Sequence, residues 1–421
     1  MKILIIGSGL IGVTSAYYLL REGHDVMVLD RAEGPGRETS FANGALLTPS
    51  MAEPWNAPGS WRVLLASLVQ TDSPMKLRLR AIPSLTAWGI QFLRNSEPST
   101  FQRNALINLR FALHSLEVMK ALREHTGVEY GRSAQGTIRL FRDQRSLEEA
   151  FAGAQRLLVH GVRFSRLSAA GVLNLEPSLR PIGAELAGAI HYETDETGNA
   201  YAFCVALADY ARRQGATFHF RTPVTSLLIR SGRVVAAVAG SQNFIADRYV
   251  VAAGSYSTLL LRQARVRVPV RPAKGYSVTF EGANRQASLR IPMVDDRHHT
   301  VVVPIGDAVR VAGTAEFAGY DLATDPGRVR NLVTLARKVL PCAGLDPSGA
   351  TPWCGLRAMS ADGVPIIGAT AVSNLFLNTG HGHLGWTLAA GSAKLLADLM
   401  SDVAPSVDPA PFSLSRFGEA R

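Results

Sequence analysis

The feature that most constrains this fold is a glycine turn near the start, Gly7-Ser8-Gly9-Leu10-Ile11-Gly12. It stands between a short apolar run, Lys2 to Ile6, and an amphipathic segment from about Leu10 to Arg21. The run reads as a strand covered on both faces. The segment reads as a helix, with Leu10, Val13, Tyr17 and Leu20 near helical spacing and Gly23 after its end. A second apolar run, Val26 to Leu29, closes on Asp30. Together these form one βαβ unit with a right-handed crossover. In such a turn the first glycine permits the bend, the second admits a pyrophosphate, and the third lets helix and strand pack closely. The helix start offers N–H groups and a positive dipole to phosphate. A carboxylate at Asp30, eighteen residues after Gly12, can accept from ribose hydroxyls. A dinucleotide site follows from that order of parts.

Length and composition set the frame. At 421 residues the chain exceeds one ordinary core, so two or three domain-sized units are expected. Apolar residues at 47% and charged residues at 19% belong to a globular protein. No run of eighteen apolar residues is present, and the glycines interrupt any resemblance of the start to a secretory signal, so the chain is expected in the cytoplasm. Cys204, Cys342 and Cys354 are odd in number and lack CxxC spacing, which argues against a disulfide framework and a zinc site. No metal is expected. The net charge of +10 comes mostly from arginines spread along the chain, without a run or a reader motif, so no nucleic acid is expected. A basic surface does suit an anionic membrane face or an acidic substrate.

Residues 61–130 read as mostly helical, broken at Pro74, Pro83 and Pro98. Strands are expected at Gly136–Phe141, Gly188–Tyr192, Thr217–Phe220, Val224–Ile229, Val234–Val238 and Tyr249–Ala252, and again through residues 263–315. Helices are expected at Thr197–Arg213 and Leu384–Met400. The pattern predicts an α/β protein. A Rossmann-like nucleotide-binding domain (1–60, 196–262, 346–421) is interrupted twice by an α+β domain with a discontinuous antiparallel sheet (61–195, 263–345). Three features favour FAD: the turn at the N-terminus, Arg31 placed to reach a phosphate or stack on adenine, and two late glycine-containing strand ends. One ends at Gly254. The other, Asn378 to Thr387, opens a helix whose N-terminus suits negative charge on a reduced flavin.

Over nearly its whole length the sequence resembles the D-amino acid dehydrogenase small-subunit family, within the D-amino acid oxidase and glycine oxidase superfamily. The resemblance rests on IGSGLIGV, GHDV with LDR, ETSFANGA, PWNAPG, DETGNA, AAGSYST, KGYS, GLRAMSADGVPIIG and NTGHGHLGWT. It implies FAD extended across the Rossmann-like domain under a roof of antiparallel sheet. It assigns Gly7, Gly9, Leu10, Ile11 and Gly12 to the pyrophosphate, and Asp30 and Arg31 to the adenosine end. Ser40, Asn43 and Gly44 fall near phosphates and flavin, Val224 meets adenine through its backbone, and Gly382, His383, Leu384, Gly385, Trp386 and Thr387 meet the flavin pyrimidine edge. Phe41, the early Gly44 and His383 depart from the family pattern, and they bear on the substrate more than on the cofactor.

The implied chemistry is oxidation of a small D-amino acid by hydride transfer from Cα to flavin N5. The product is an imino acid, then a 2-oxo acid and ammonia, with electrons passed to a quinone or other carrier. Other substrates in view are glycine, sarcosine and cyclic imino acids such as D-proline. A flavoprotein subunit of an electron-transfer complex is a further reading. Arg357 is the expected carboxylate anchor, because a guanidinium grips a carboxylate with two parallel hydrogen bonds. Lying over the flavin, it also belongs to the cofactor's surroundings. Tyr276 is expected to touch the substrate, and His298 or His299 to take the amine proton. Cys354 lies one position from where some relatives attach flavin, so FAD is expected to be non-covalent. Peripheral contact with the inner face of the cell membrane is expected from the resemblance and the basic charge.

Overall fold

A computed structural model describes residues 1–66, 75–284 and 288–418. Of the expected helix breaks, Pro74 lies outside the described residues, while Pro83 and Pro98 each stand in the first turn of a helix. Proline fits there because that N–H has no intrahelical partner.

The expected βαβ unit forms as strand Lys2–Ile6, helix Leu10–Arg21 and strand Asp25–Leu29. It seeds a six-stranded sheet, in the order 366–369, 375–379, 248–251, 2–6, 25–29 and 217–219. All neighbours are parallel except the 366–369/375–379 pair. Ile3 and Ile5 face the helices Leu10–Arg21 and Ala389–Met400, while Leu4 and Ile6 face a three-stranded meander spanning residues 226–244. Burial on both faces explains why the strand reads as a continuous apolar run.

A nine-stranded sheet stands beside it, with strand Val270–Phe280 paired along its full length to Ala350–Ser360 and on its other edge to Ala308–Phe317. Most of its pairs are antiparallel, but 293–295 with 137–141 and 308–317 with 75–77 are parallel. Two expected boundaries need correction. Strand Ala350–Ser360 belongs to this second sheet, because all eleven of its residues pair with Val270–Phe280. The helix Pro98–Thr126 packs on the nucleotide-binding side, where Ser115 Oγ accepts from Gly391 N and Tyr18 donates to the Val118 carbonyl. Its buried Leu109, Ala112, Leu116 and Met119 share one core with Val13 and Ala393. No helix among the described residues is long and apolar enough to cross a membrane.

Candidate active site

Between the two sheets runs one continuous cavity of about 980 Å³, from Val224 and Thr222 at one end to Trp386 and Arg357 at the other. That volume is at the upper end of the roughly 300–1,000 Å³ of ligand pockets, large enough for an extended molecule.

The glycine turn forms one wall. Gly7 has φ +107°, and a Cβ there would lie 2.6 Å from the Ala252 carbonyl oxygen. Gly12 sits beneath the wall and does not line the cavity. Its hydrogen is needed because a Cβ would lie 1.8 Å from the Gly7 carbonyl oxygen. The helix start carries no side-chain cap and no acid in its first turn, so its positive end faces the cavity uncompensated except by Ser40 Oγ, which accepts from Leu10 N at 3.1 Å. Ile11 also lines this wall. Asp30 stands further along, accepting from Ser8 N and Oγ at 2.6 and 2.7 Å and from Ala32 N at 2.8 Å.

Arg31 lines the cavity, with its guanidinium 3.7 Å from the Tyr256 ring centroid and paired with Glu38. The loop carrying Ser40, Asn43 and Gly44 is fastened to the second sheet by Thr39, which donates to the Leu356 carbonyl, by Ser277, which donates to the Ala42 carbonyl, and by Arg310, which donates to the Asn43 carbonyl at 3.3 Å. Arg310 was missed from the sequence. Burial pulls its pKa down to about 10, yet it works here as a fastener behind the wall.

The far end is built from Gly380 to Trp386, strand 350–360 and the loop around Trp55. Gly254, Gly382, His383, Gly385 and Trp386 line the cavity. Leu384 and Thr387 do not. Leu384 is buried in the helix core, and Thr387 Oγ1 accepts from Thr48 N at 3.0 Å. Trp386 Nε1 and Asn378 Oδ1 are buried here without a protein partner. The glycine cradle, the uncapped helix start and these orphan polar atoms fit an extended dinucleotide lying from Val224 to Trp386.

Arg357 dominates this end. It is surrounded by protein atoms but only half-buried, because it lines the cavity. Desolvation pulls its pKa down to about 10. No carboxylate among the described residues pairs with it. Its contacts are the Thr314 carbonyl at 3.4 Å and the Trp55 ring at 5.4 Å. The register of strand 270–280 against 308–317 shifts between Lys274 and Tyr276, and Thr314 lies in that bulge at φ +61°. Gly275 lies beneath the guanidinium, where a Cβ would come 1.8 Å from Nη1. Desolvated charges are normally paired, and Arg357, with no described carboxylate beside it, is an exception.

His383 stacks on Trp55 at 5.2 Å and 16°, the same indole that Arg357 approaches at 5.4 Å. Its Nε2 donates to the Met51 carbonyl at 3.1 Å, and desolvation holds its pKa down at about 4.

Tyr276 and His299 both line the cavity, but their polar groups lie away from Arg357. Tyr276 alternates with Gly275, so its hydroxyl turns to the opposite face and donates to Glu316 Oε2 at 2.6 Å. There it joins a buried set with Arg78 and Lys274. His298 Nδ1 is held by Asp295 at 2.9 Å, and His299 lies exposed in a turn at φ +47°, on the outer part of the cavity near the Arg139–Asp296 pair. Cys354 faces away from the cavity, with its Sγ on the Leu322 carbonyl at 3.0 Å.

Comparison with known proteins agrees with this geometry. D-amino acid dehydrogenase of Paramagnetospirillum magneticum is 40% identical over 99% of each chain, and that of Xanthobacter autotrophicus is 39% identical over 100% of each. Glycine oxidase from Geobacillus kaustophilus superposes with a TM-score of 0.75 at 23% identity, covering 99% of each chain. L-proline dehydrogenase from P. horikoshii does so at 0.75 and 18%, covering 100% of this chain and 99% of its own. The family described as DAO, FAD dependent oxidoreductase, matches residues 2–399. The chain is therefore a member of the DAO family of FAD dependent oxidoreductases, an FAD-dependent enzyme.

Proposed function

We propose that this enzyme oxidises small D-amino acids at Cα, releasing a 2-oxo acid and ammonia after hydrolysis of the imino acid, and passes the electrons to a quinone. One observation carries the reading: Arg357, half-buried on the cavity wall and unpaired among the described residues, is poised for a carboxylate. FAD, bound non-covalently, supplies the acceptor of the two electrons and the hydride. The chain's own residues bind and orient the substrate. Arg357 grips the carboxylate and Trp55 walls the side of the pocket, and partial burial there strengthens the ion pair. Gly7, Gly9 and the helix start take the pyrophosphate, Asp30 the ribose, and Val224 the adenine edge. In this reading residues 1–60, 196–262 and most of 346–421 form the cofactor domain. The relatives named D-amino acid dehydrogenase support the substrate class. The test is a screen of D- and L-amino acids with dye reduction and peroxide measured in parallel. Dye reduction by D-amino acids with little peroxide in air is expected. Vigorous peroxide formation contradicts the dehydrogenase, and turnover restricted to L-amino acids contradicts the substrate.

Peripheral attachment to the cytoplasmic membrane face completes the proposal. The helix Ile82–Arg94 buries Leu85, Trp88 and Phe92 but leaves Ile82, Ile90 and Leu93 exposed, with Leu79 and Trp61 also exposed nearby. A helix that is apolar on both sides is ordinarily covered on both. Residues 61–94 carry Arg62, Lys76 and Arg94, besides Arg78 and Arg80, which pair with Glu316, Asp325 and Asp321. Such a surface is drawn to anionic lipid by about 1 kcal/mol per nearby base. Sedimentation with anionic vesicles that fades at high salt is expected, and sedimentation unaffected by vesicles contradicts it.

A further inference from the structure

We propose that His383 accepts the hydrogen bond of the substrate's α-amine through Nδ1, a role that rests on the amino-acid reading of this site. The Met51 carbonyl oxygen can only accept, so the Nε2 it touches must carry the proton. That fixes the tautomer and leaves Nδ1 as a free acceptor. No group among the described residues bonds Nδ1, and His383 lines the cavity. Stacking on Trp55 holds the ring plane, and the same indole carries Arg357 against it. One aromatic therefore touches both the carboxylate anchor and the neutral acceptor. An α-amino acid presents a carboxylate and an amine on adjacent carbons, which is the pair of groups this arrangement can hold. With both held, Cα is fixed by two of its substituents, and its hydrogen and side chain take the remaining two directions.

Other groups near the cavity are committed elsewhere. Asp30 faces the glycine turn, Glu38 pairs with Arg31, Asp295 is held by Arg142 and His298, and Asp296 by Arg139. Glu53 is exposed. His381, two residues from His383, is turned to Ser392 Oγ at 2.9 Å. The groups facing His383 are Arg357 from strand 350–360, Trp55 from its loop, and the Met51 carbonyl. Burial, and after it the neighbouring guanidinium, disfavours a charged imidazole, so the ring stays neutral and keeps its acceptor through the working pH range.

The test compares D-alanine with propanoate, the same skeleton without the amine, on the FAD-loaded full chain. Propanoate affinity is read from its perturbation of the flavin spectrum, and D-alanine affinity and reduction rate from anaerobic stopped flow. In His383→Thr, D-alanine affinity or reduction rate is expected to fall about tenfold or more, the scale of one hydrogen bond to a charged or strongly polar group. Propanoate affinity is expected to stay within about twofold. His383→Gln, whose amide oxygen can accept, is expected to recover part of the loss. Equal losses for both ligands would mean that His383 only braces Trp55 and Arg357, and no loss for either would remove it from the site. Both results overturn the proposal. Wild-type enzyme that binds propanoate but is reduced by no amino acid would overturn the amino-acid reading itself, and the proposal with it.

Discussion

Gly275→Ala is the smallest perturbation that tests how the carboxylate anchor is built. The added methyl would lie 1.8 Å from Arg357 Nη1, 2.4 Å from Cζ and 2.6 Å from Nη2. All three contacts are shorter than van der Waals separation, and no backbone atom is among them. The end of a long side chain therefore moves, and the sheet stays in place. The cost in stability should be small, about 1 kcal/mol, at the low end for overpacking. The cost in function should be large, because a displacement of about 1 Å in a positioning group can lose on the order of a hundredfold in rate. The expected result is a fall in kcat/KM of roughly 30- to 100-fold for the best D-amino acid. Flavin content and Tm should stay near wild type. The assay is steady-state dye reduction beside the flavin spectrum and a thermal melt of each variant. Wild-type kcat/KM in a variant shown to carry the alanine would refute the placement of Arg357 over Gly275. Loss of flavin would mean that the guanidinium serves the cofactor.

Other outcomes follow from the same geometry. Arg357→Lys keeps the charge but loses the paired hydrogen bonds, so kcat/KM should drop roughly tenfold to a hundredfold, with Arg357→Ala dropping further in the same dye assay. Gly12→Ala places a methyl against backbone, 1.8 Å from the Gly7 carbonyl oxygen, where no side chain can yield, and should abolish flavin binding or folding as read by the ratio of flavin to protein absorbance. Asp195 is fully buried, and desolvation pushes its pKa up to about 6 despite bonds from Ser50 and Thr137. Because the folded state binds this proton more tightly than the unfolded chain, Asp195 lowers stability progressively as pH rises from about 4 to 6, by about 3 kcal/mol in all. Melts across that window should slope downward in wild type relative to Asp195→Asn, and parallel curves would contradict the assignment. Acid precipitation should leave the yellow colour in the supernatant, because Cys354 lies on the face away from the cavity; colour in the pellet would reveal a covalent link.

The parts legible in the sequence are those dictated by local chemistry. Gly7 and Gly12 announce themselves because close backbone approach tolerates only hydrogen, and the apolar runs announce buried strands. Tyr276 shows where such reading stops. Gly275 and Tyr276 are neighbours in one motif, and strand alternation sends them to opposite faces, yet which face meets Arg357 depends on pairing with residues 350–360 far along the chain. The tyrosine looked more chemical, and the glycine is the one under Arg357. Trp55 was visible only as part of a quoted motif, since its contacts with Arg357 and His383 join three distant segments. Likewise, nothing local says that strand 350–360 leaves the nucleotide-binding sheet or that Arg31 lies over the Tyr256 ring. Burial and pairing at long range decide these, and a period-2 pattern does not encode its partner.

The measurement closest to the central claim is anaerobic mixing of the purified yellow protein with single amino acid enantiomers. The account predicts rapid bleaching of the flavin absorbance by a small D-amino acid, little or none by its L-enantiomer, and loss of that bleaching in Arg357→Ala with the flavin still bound. Bleaching by both enantiomers alike, or undiminished bleaching in Arg357→Ala, would contradict it.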